Sequence, residues 1–191
     1  DIKLRTWNIL CEMNKNLHIE KYHKVDTSTL DQPPLWEFVG LEDARIFRWD
    51  GKLYLSGVRR DEDTVGTGRM ELCEIVVDNN KVKQVSQLRI QPPLDPNSYC
   101  EKNWMPILDK PYHYIKWSNP TELVKVNPKT GESEQIFTDK QNPIDGGRSE
   151  IQKYVTQCEQ ADQKTTLVPD LATLRPLIVT VNATPAFATP N

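Results

Sequence analysis

Three short segments of the 191-residue chain gather acids, bases and amides more densely than a scaffold requires. Gly40-Leu41-Glu42-Asp43-Ala44-Arg45 sets two carboxylates beside a guanidinium, and Arg59-Arg60-Asp61 follows one hairpin later. A carboxyl crowded by another carboxyl and by cations has a proton affinity tuned by its neighbours, which is what a general acid needs. Asp43 is the candidate acid, with Glu42, Arg45, Arg59 and Arg60 around it. Cys100-Glu101-Lys102-Asn103-Trp104-Met105-Pro106 again places a carboxylate (Glu101), a cation (Lys102) and an amide (Asn103) ahead of a strand, now with the indole of Trp104, able to stack on a flat ring. In Asp145-Gly146-Gly147-Arg148-Ser149-Glu150 the glycines allow close backbone approach and Arg148 can hold an anion. Each segment has a plainer reading: a solvated charge cluster at a strand start, a tryptophan in a core with charged neighbours outside, or a simple turn.

The elements that must position these segments read as antiparallel sheet. From residue 41 to residue 137, short runs of β-branched, aromatic and aliphatic residues are broken by turn residues, and helical periodicity is nearly absent. Residues 45–49 and 52–56 flank Asp50-Gly51, a pair that tolerates the positive φ of a primed hairpin turn. Residues 70–77 and 82–88 flank Asp78-Asn79-Asn80-Lys81, so four strands run consecutively. The unit recurs with residues 104–108 and 112–117, then 122–126 and 132–137. The corresponding hairpins lie about 60 and about 50 residues apart, an interval that matches propeller blades of four strands, although a β-sandwich also builds its strands in hairpins. Residues 4–10 and 17–25 fit the later strands of an earlier blade.

Composition narrows the function classes. With 24 basic against 27 acidic residues and a net charge of -3, there is no basic field for a phosphate backbone, so nucleic acid is not an expected partner. No apolar run approaches the roughly 20 residues needed to span a bilayer, so no membrane partner is expected. Cys11, Cys73, Cys100 and Cys158 form no Cys-x-x-Cys pair, and His18, His23 and His113 lack the spacing of a zinc helix; neither metal nor cofactor is expected. The chain opens on Asp1 rather than Met, without a charged-then-apolar leader, as expected of a trimmed product or a fragment. Together with scattered thiols, this gives the expectation of a cytoplasmic setting.

Gly-Leu-Glu-Asp-Ala-Arg-Ile-Phe at 40–47, Asp-Gly-Lys-Leu-Tyr at 50–54, Arg-Arg-Asp at 59–61, Glu-Lys-Asn-Trp-Met-Pro at 101–106 and Gly-Gly-Arg-Ser at 146–149 form an ordered series. The series resembles the five-bladed β-propeller glycosidases, above all the β-mannoside phosphorylases and hydrolases of glycoside hydrolase family 130 and related propeller domains found beside glycosyltransferases. The resemblance implies that Asp43 is the general acid of an inverting reaction on a mannoside-like glycan. It further implies that Arg59 and Arg60 bind inorganic phosphate in a phosphorylase, and that Lys102 and Asn103 add polar contacts. Ala44 stands where that family usually has proline. A non-catalytic glycan-binding or scaffolding propeller, with Trp104 and Arg148 as contact residues, is the competing expectation, and an inactive fragment of such an enzyme is the third.

The expected fold is therefore all-β: a partial five-bladed propeller of four-stranded antiparallel blades over residues 1–150, with an irregular C-terminal tail over 151–191. All eight glycines and all five tryptophans lie at or before Gly147, whereas residues 151–191 hold four prolines, seven threonines and only six charged side chains. Within that tail, residues 154–163 suit a short helix and 176–183 a strand. A five-bladed ring needs on the order of 250 residues or more, so the portion before residue 150 supplies about two and a half blades.

Overall fold

The computed structural model describes residues 3–118 and 120–138, and the backbone of 176–182. Among these residues every regular element is a strand. The expected all-β class holds; the helix expected at 154–163 lies outside the described residues.

The chain begins with an antiparallel hairpin of β1 (Leu4–Met13) and β2 (Ile19–Asp26), bulged between Glu12 and Met13. A two-strand pairing follows, β3 (Phe38–Val39) running parallel to the start of β1. Then comes a continuous meander: β4 (Leu41–Trp49), β5 (Lys52–Arg59), β6 (Arg69–Asp78) and β7 (Lys81–Gln84). Its turns are the ones that the side chains dictate. Asp50 and Gly51 take φ of 49° and 77°, and Asn79 and Asn80 take 46° and 62°, the double left-handed geometry of a two-residue primed turn. The second turn is thus tighter than the four residues expected, with Asp78 and Lys81 paired in the ladder. A short β8 (Leu88–Arg89) adds to β6, setting Glu71 opposite Arg89.

The first hairpin does not stand apart as an earlier blade. Val25 and Asp26 of β2 pair in parallel with Val82 and Lys83 of β7, so the hairpin extends the meander. On the far side, β13 (Pro176–Asn182) lies antiparallel along β1, so the C-terminal segment contributes a strand to the same sheet. The order is β13-β1-β2-β7-β6-β5-β4. This sheet curls into a half-barrel that brings β13 and β1 toward β4, and Asn8 Nδ2 on β1 donates to the Leu41 carbonyl at 3.1 Å. Gly40 permits that approach: its φ is 101°, and a Cβ there would sit 2.7 Å from the Thr6 carbonyl oxygen.

A second sheet runs β12-β11-β10-β9, from β9 (Met105–Pro106), β10 (His113–Ser118), β11 (Thr121–Val126) and β12 (Ser133–Thr138). The first of these is shorter than its sequence pattern suggests, because Trp104 turns into the core instead of pairing.

Apolar side chains fill two spaces, one on each face of the meander. Leu10, Val25, Leu41, Leu53, Leu55, Cys73, Ile75 and Val82 pack inside the curl. Phe47, Trp49, Tyr54, Met70, Leu72, Ile90, Trp104, Tyr114, Val124 and Val126 pack between the two sheets. Trp49 anchors the second space, with its ring 5.5 Å from that of Tyr114 and its Nε1 donating to the Ile107 carbonyl at 2.9 Å. Because strand residues alternate faces, β5 feeds both spaces, and from Leu53 to Arg59 every residue is buried. Leu55, fully enclosed, should therefore be costly to shorten. Leu55→Ala is expected to lose about 2–5 kcal/mol, read as a lower urea midpoint at unchanged slope. Val77→Ala, on the exposed end of β6, should stay within about 0.5 kcal/mol of the parent.

Candidate functional site

Asp43 owes its position to a β-bulge. The β4–β5 register shifts between Glu42 and Arg45, leaving Asp43 unpaired with φ of 51°. An aspartate tolerates this left-handed conformation better than most residues. The bulge needs room on the partner strand, which Gly57 supplies: a Cβ there would collide with the Glu42 carbonyl oxygen and crowd Ala44 Cα. The outcome is an exposed Asp43 carboxylate beside a half-buried Glu42.

Arg60 and Lys102 reach the same place from other segments. The loop before β9 is tied to the start of β6 by Gly68 N–H donating to the Tyr99 carbonyl and Glu101 N–H donating to the Gly68 carbonyl, each at 2.9 Å. Arg60 extends across this tie, with Nη2 donating to Cys100 Sγ at 3.2 Å and the guanidinium 5.5 Å from the Tyr99 ring centre. Burial raises the pKa of Glu42; Arg60 and Lys102 pull it back, while Asp43 and Asp61 add to the rise. Glu42, Asp43, Arg60 and Lys102, drawn from three segments, thus act on one another. Asn103, exposed at φ 63°, lies next to Lys102, and Arg45 is exposed just past the bulge.

Other candidate residues are committed elsewhere. Trp104 is 1% exposed and packs against Tyr114, so it presents no open ring face to a ligand. Its Nε1 donates to Glu101 Oε2 at 3.1 Å, while Glu101 Oε1 accepts from Ser98 Oγ at 2.8 Å and pairs with Lys116 at 3.3 Å. Arg59 and Arg60 are held apart by different partners: Arg59, the last residue of β5, turns into the curl, and Arg60, just past the strand, turns to Cys100. Arg59 is buried in the curl, giving Nε and Nη2 to Asp61 at 2.7 and 3.3 Å and Nη1 to Gln87 Oε1 at 3.0 Å. Arg148 and Glu150 lie outside the described residues.

A buried charge network that none of the sequence motifs contains lies behind Arg59. Glu71 on β6 is wholly enclosed, with Oε1 3.5 Å from Arg89 Nη1 and Oε2 3.9 Å from Arg59 Nη1. Gln87 Nε2 bridges it to Glu62, at 3.4 Å to Glu71 Oε1 and 2.8 Å to Glu62 Oε1. Burial first, then the field of Glu62, pushes the Glu71 pKa up to about 8, against the pull of Arg59 and Arg89. For Arg59, burial opposes the charge, but the Asp61 hydrogen bond and the fields of Glu71, Asp61 and Glu62 outweigh it and raise its pKa. The available sequence signal was a carboxylate inside the apolar run Met70-Glu71-Leu72-Cys73. Among the described residues no group of three or more His, Cys, Asp or Glu side chains is arranged to hold a metal ion, and no helix is long and apolar enough to cross a membrane.

The chain has no significant match among known protein families, curated proteins or solved structures. Its site therefore stands on its own geometry.

Two measurements probe that geometry. Folding retains a Glu71 proton that the unfolded chain releases near pH 4.5. Stability from this group is thus complete below that pH and declines as pH rises toward about 8. Glu71→Gln should flatten the fall in urea midpoint between those limits. Gly57→Ala should cost about 1–3 kcal/mol in denaturant unfolding and move the amide resonances of Glu42, Asp43 and Ala44.

Proposed function

We propose that this protein acts on a glycosidic bond, with Asp43 as the acid that protonates the leaving oxygen. The observation that carries this reading is the convergence of Glu42, Asp43, Arg60 and Lys102 at a bulge that exposes one carboxyl and half-buries the other. Burial raises the proton affinity of Glu42, so a carboxyl suited to exchanging a proton stands next to Asp43. Arg60 and Lys102 offset the negative charge that would otherwise repel an electron-rich sugar.

The same reading treats the two four-stranded meanders as neighbouring blades of a five-bladed propeller of the glycoside hydrolase family 130 kind. Their face-to-face packing across Trp49, Trp104 and Tyr114 supports it. Mannoside-like glycans, with inorganic phosphate as the alternative attacking group to water, are the first substrates to offer.

A non-catalytic glycan-binding role is the second reading, and one observation favours it. Inversion needs a partner across the sugar, either a second carboxylate roughly 6.5–9.5 Å away or a bound phosphate. Glu101 is held by Trp104, Ser98 and Lys116, and Arg59 by Asp61 and Gln87. Turnover of manno-oligosaccharides, with and without phosphate, separates the readings. If the enzyme reading holds, Asp43→Asn lowers the rate by about 10²- to 10⁴-fold, and an unchanged rate rules Asp43 out as the acid. Saturable binding without product, surviving Asp43→Asn, selects the second reading.

A further inference from the structure

Where the curled sheet brings β1 toward β4, β1, β2 and the segment entering β4 surround a pocket of about 200 Å³. Asn8, Arg59 and Gln84, all buried, line it together with Trp7, Lys24 and Ser28. A pocket inside an apolar curl would ordinarily be lined by aliphatic residues. Here buried polar groups take that place, and each is held by a bond that leaves other capacity unspent.

Asn8 uses Nδ2 on the Leu41 carbonyl, and its Oδ1 has no partner among the described residues. Gln84 uses Nε2 on Gln87 Oε1 at 3.3 Å, and its Oε1 is likewise without a partner among the described residues. Arg59 is fixed by Asp61 and Gln87 through three of its donors and retains further N–H groups. The lining thus offers acceptors and donors together on rigid strands, the complement of a ligand whose groups both donate and accept. Hydroxyls do this, whereas an ionised carboxylate only accepts.

Charge points the same way. Asp61 neutralises Arg59 at 2.7 Å, and Lys24 lies over the Trp7 ring. Asp26 at the rim is kept ionised below the usual carboxylate range, chiefly by its hydrogen bonds to Ser28. Acids therefore answer the cations around the opening, and no strong field selects an anion. The volume suits a single six-membered sugar ring.

We propose that this pocket binds one neutral monosaccharide unit, with Asn8, Arg59 and Gln84 contacting its hydroxyls. The proposal rests on the carbohydrate reading for its ligand class, but not on Asp43 as an acid. Because Gly40 and Leu41 line the pocket and Glu42 follows them directly, a ring seated here lies on the chain segment that carries the acid pair.

The test is an amide NMR titration of the full chain with methyl mannoside, methyl glucoside and methyl galactoside, and separately with sodium phosphate. At least one glycoside should give saturable shifts at residues 6–8, 24–28 and 84, with a Kd on the order of 1 mM. Gln84→Leu should weaken binding about tenfold. Ser28→Trp, which fills the opening from an exposed rim position and leaves the strands untouched, should abolish it, while Asp43→Asn should not. Urea midpoints of both pocket variants distinguish lost binding from lost folding. Three outcomes overturn the proposal: no saturable shift with any glycoside, shifts from phosphate alone, or glycoside shifts confined to Glu42, Asp43, Arg60 and Lys102 that survive Ser28→Trp. The last would leave the acid site standing without this pocket, whereas pocket binding with no turnover would do the reverse.

Discussion

Strand β5 has to be covered on both faces, and most of the structure follows from that. Leu53 and Leu55 project into the curl while Tyr54 projects toward the second sheet, so exposing either face would return a run of apolar surface to water. One cover is the β1–β2 hairpin, brought round by the parallel pairing of β2 with β7 and by the Asn8–Leu41 hydrogen bond. The other is the second sheet, seated through Trp49, Trp104 and Tyr114. Trp49 receives the second sheet at one end of the meander, whereas the hairpin meets it near the other end, where β4 begins and β5 finishes, which is where the polar residues collect.

That end carries an electrostatic cost that the apolar packing has to outweigh. Arg59 and Glu71 both sit inside the curl, and a buried charge is tolerable only when paired and hydrogen bonded. Asp61, Gln87, Arg89 and Glu62 supply the partners, and a raised proton affinity at Glu71 removes one negative charge near neutrality. The network is therefore rigid without being strongly charged. It fixes the Arg59 guanidinium and the Gln84 amide on the pocket side, while Arg60, one residue on, is turned to Glu42 and Cys100.

The bulge at Asp43 and the missing side chain at Gly57 are one device. Either alone would be destabilising: a left-handed aspartate strains a regular ladder, and a glycine inside a buried strand leaves packing unfilled. Together they let β4 bow outward and expose a carboxyl at the end of a buried strand.

The strands, the primed turns at Asp50-Gly51 and Asn79-Asn80, and the crowding of Glu42 and Asp43 at a strand start were legible from residue types alone, because each depends on alternation or local φ preference. So was the strand ending in Asn182, read from a β-branched run, although not its partner. What the linear pattern could not decide was which face each polar side chain takes and what meets it there. Trp104 looked as suited to a ring-stacking platform as to a core, and only the second sheet's packing encloses it. Arg59 and Arg60 are neighbours in the chain, but Asp61 and Gln87 hold the first inside the curl while Cys100 holds the second outside it. Glu71 stood in plain view within an apolar run, but its proton affinity comes from burial and from Glu62, Arg59 and Arg89, which reach it only in the folded sheet. Local preferences are written residue by residue along the chain; burial, charge partners and the pocket between β1, β2 and β4 arise from contacts far apart in sequence, so only the tertiary structure decided them.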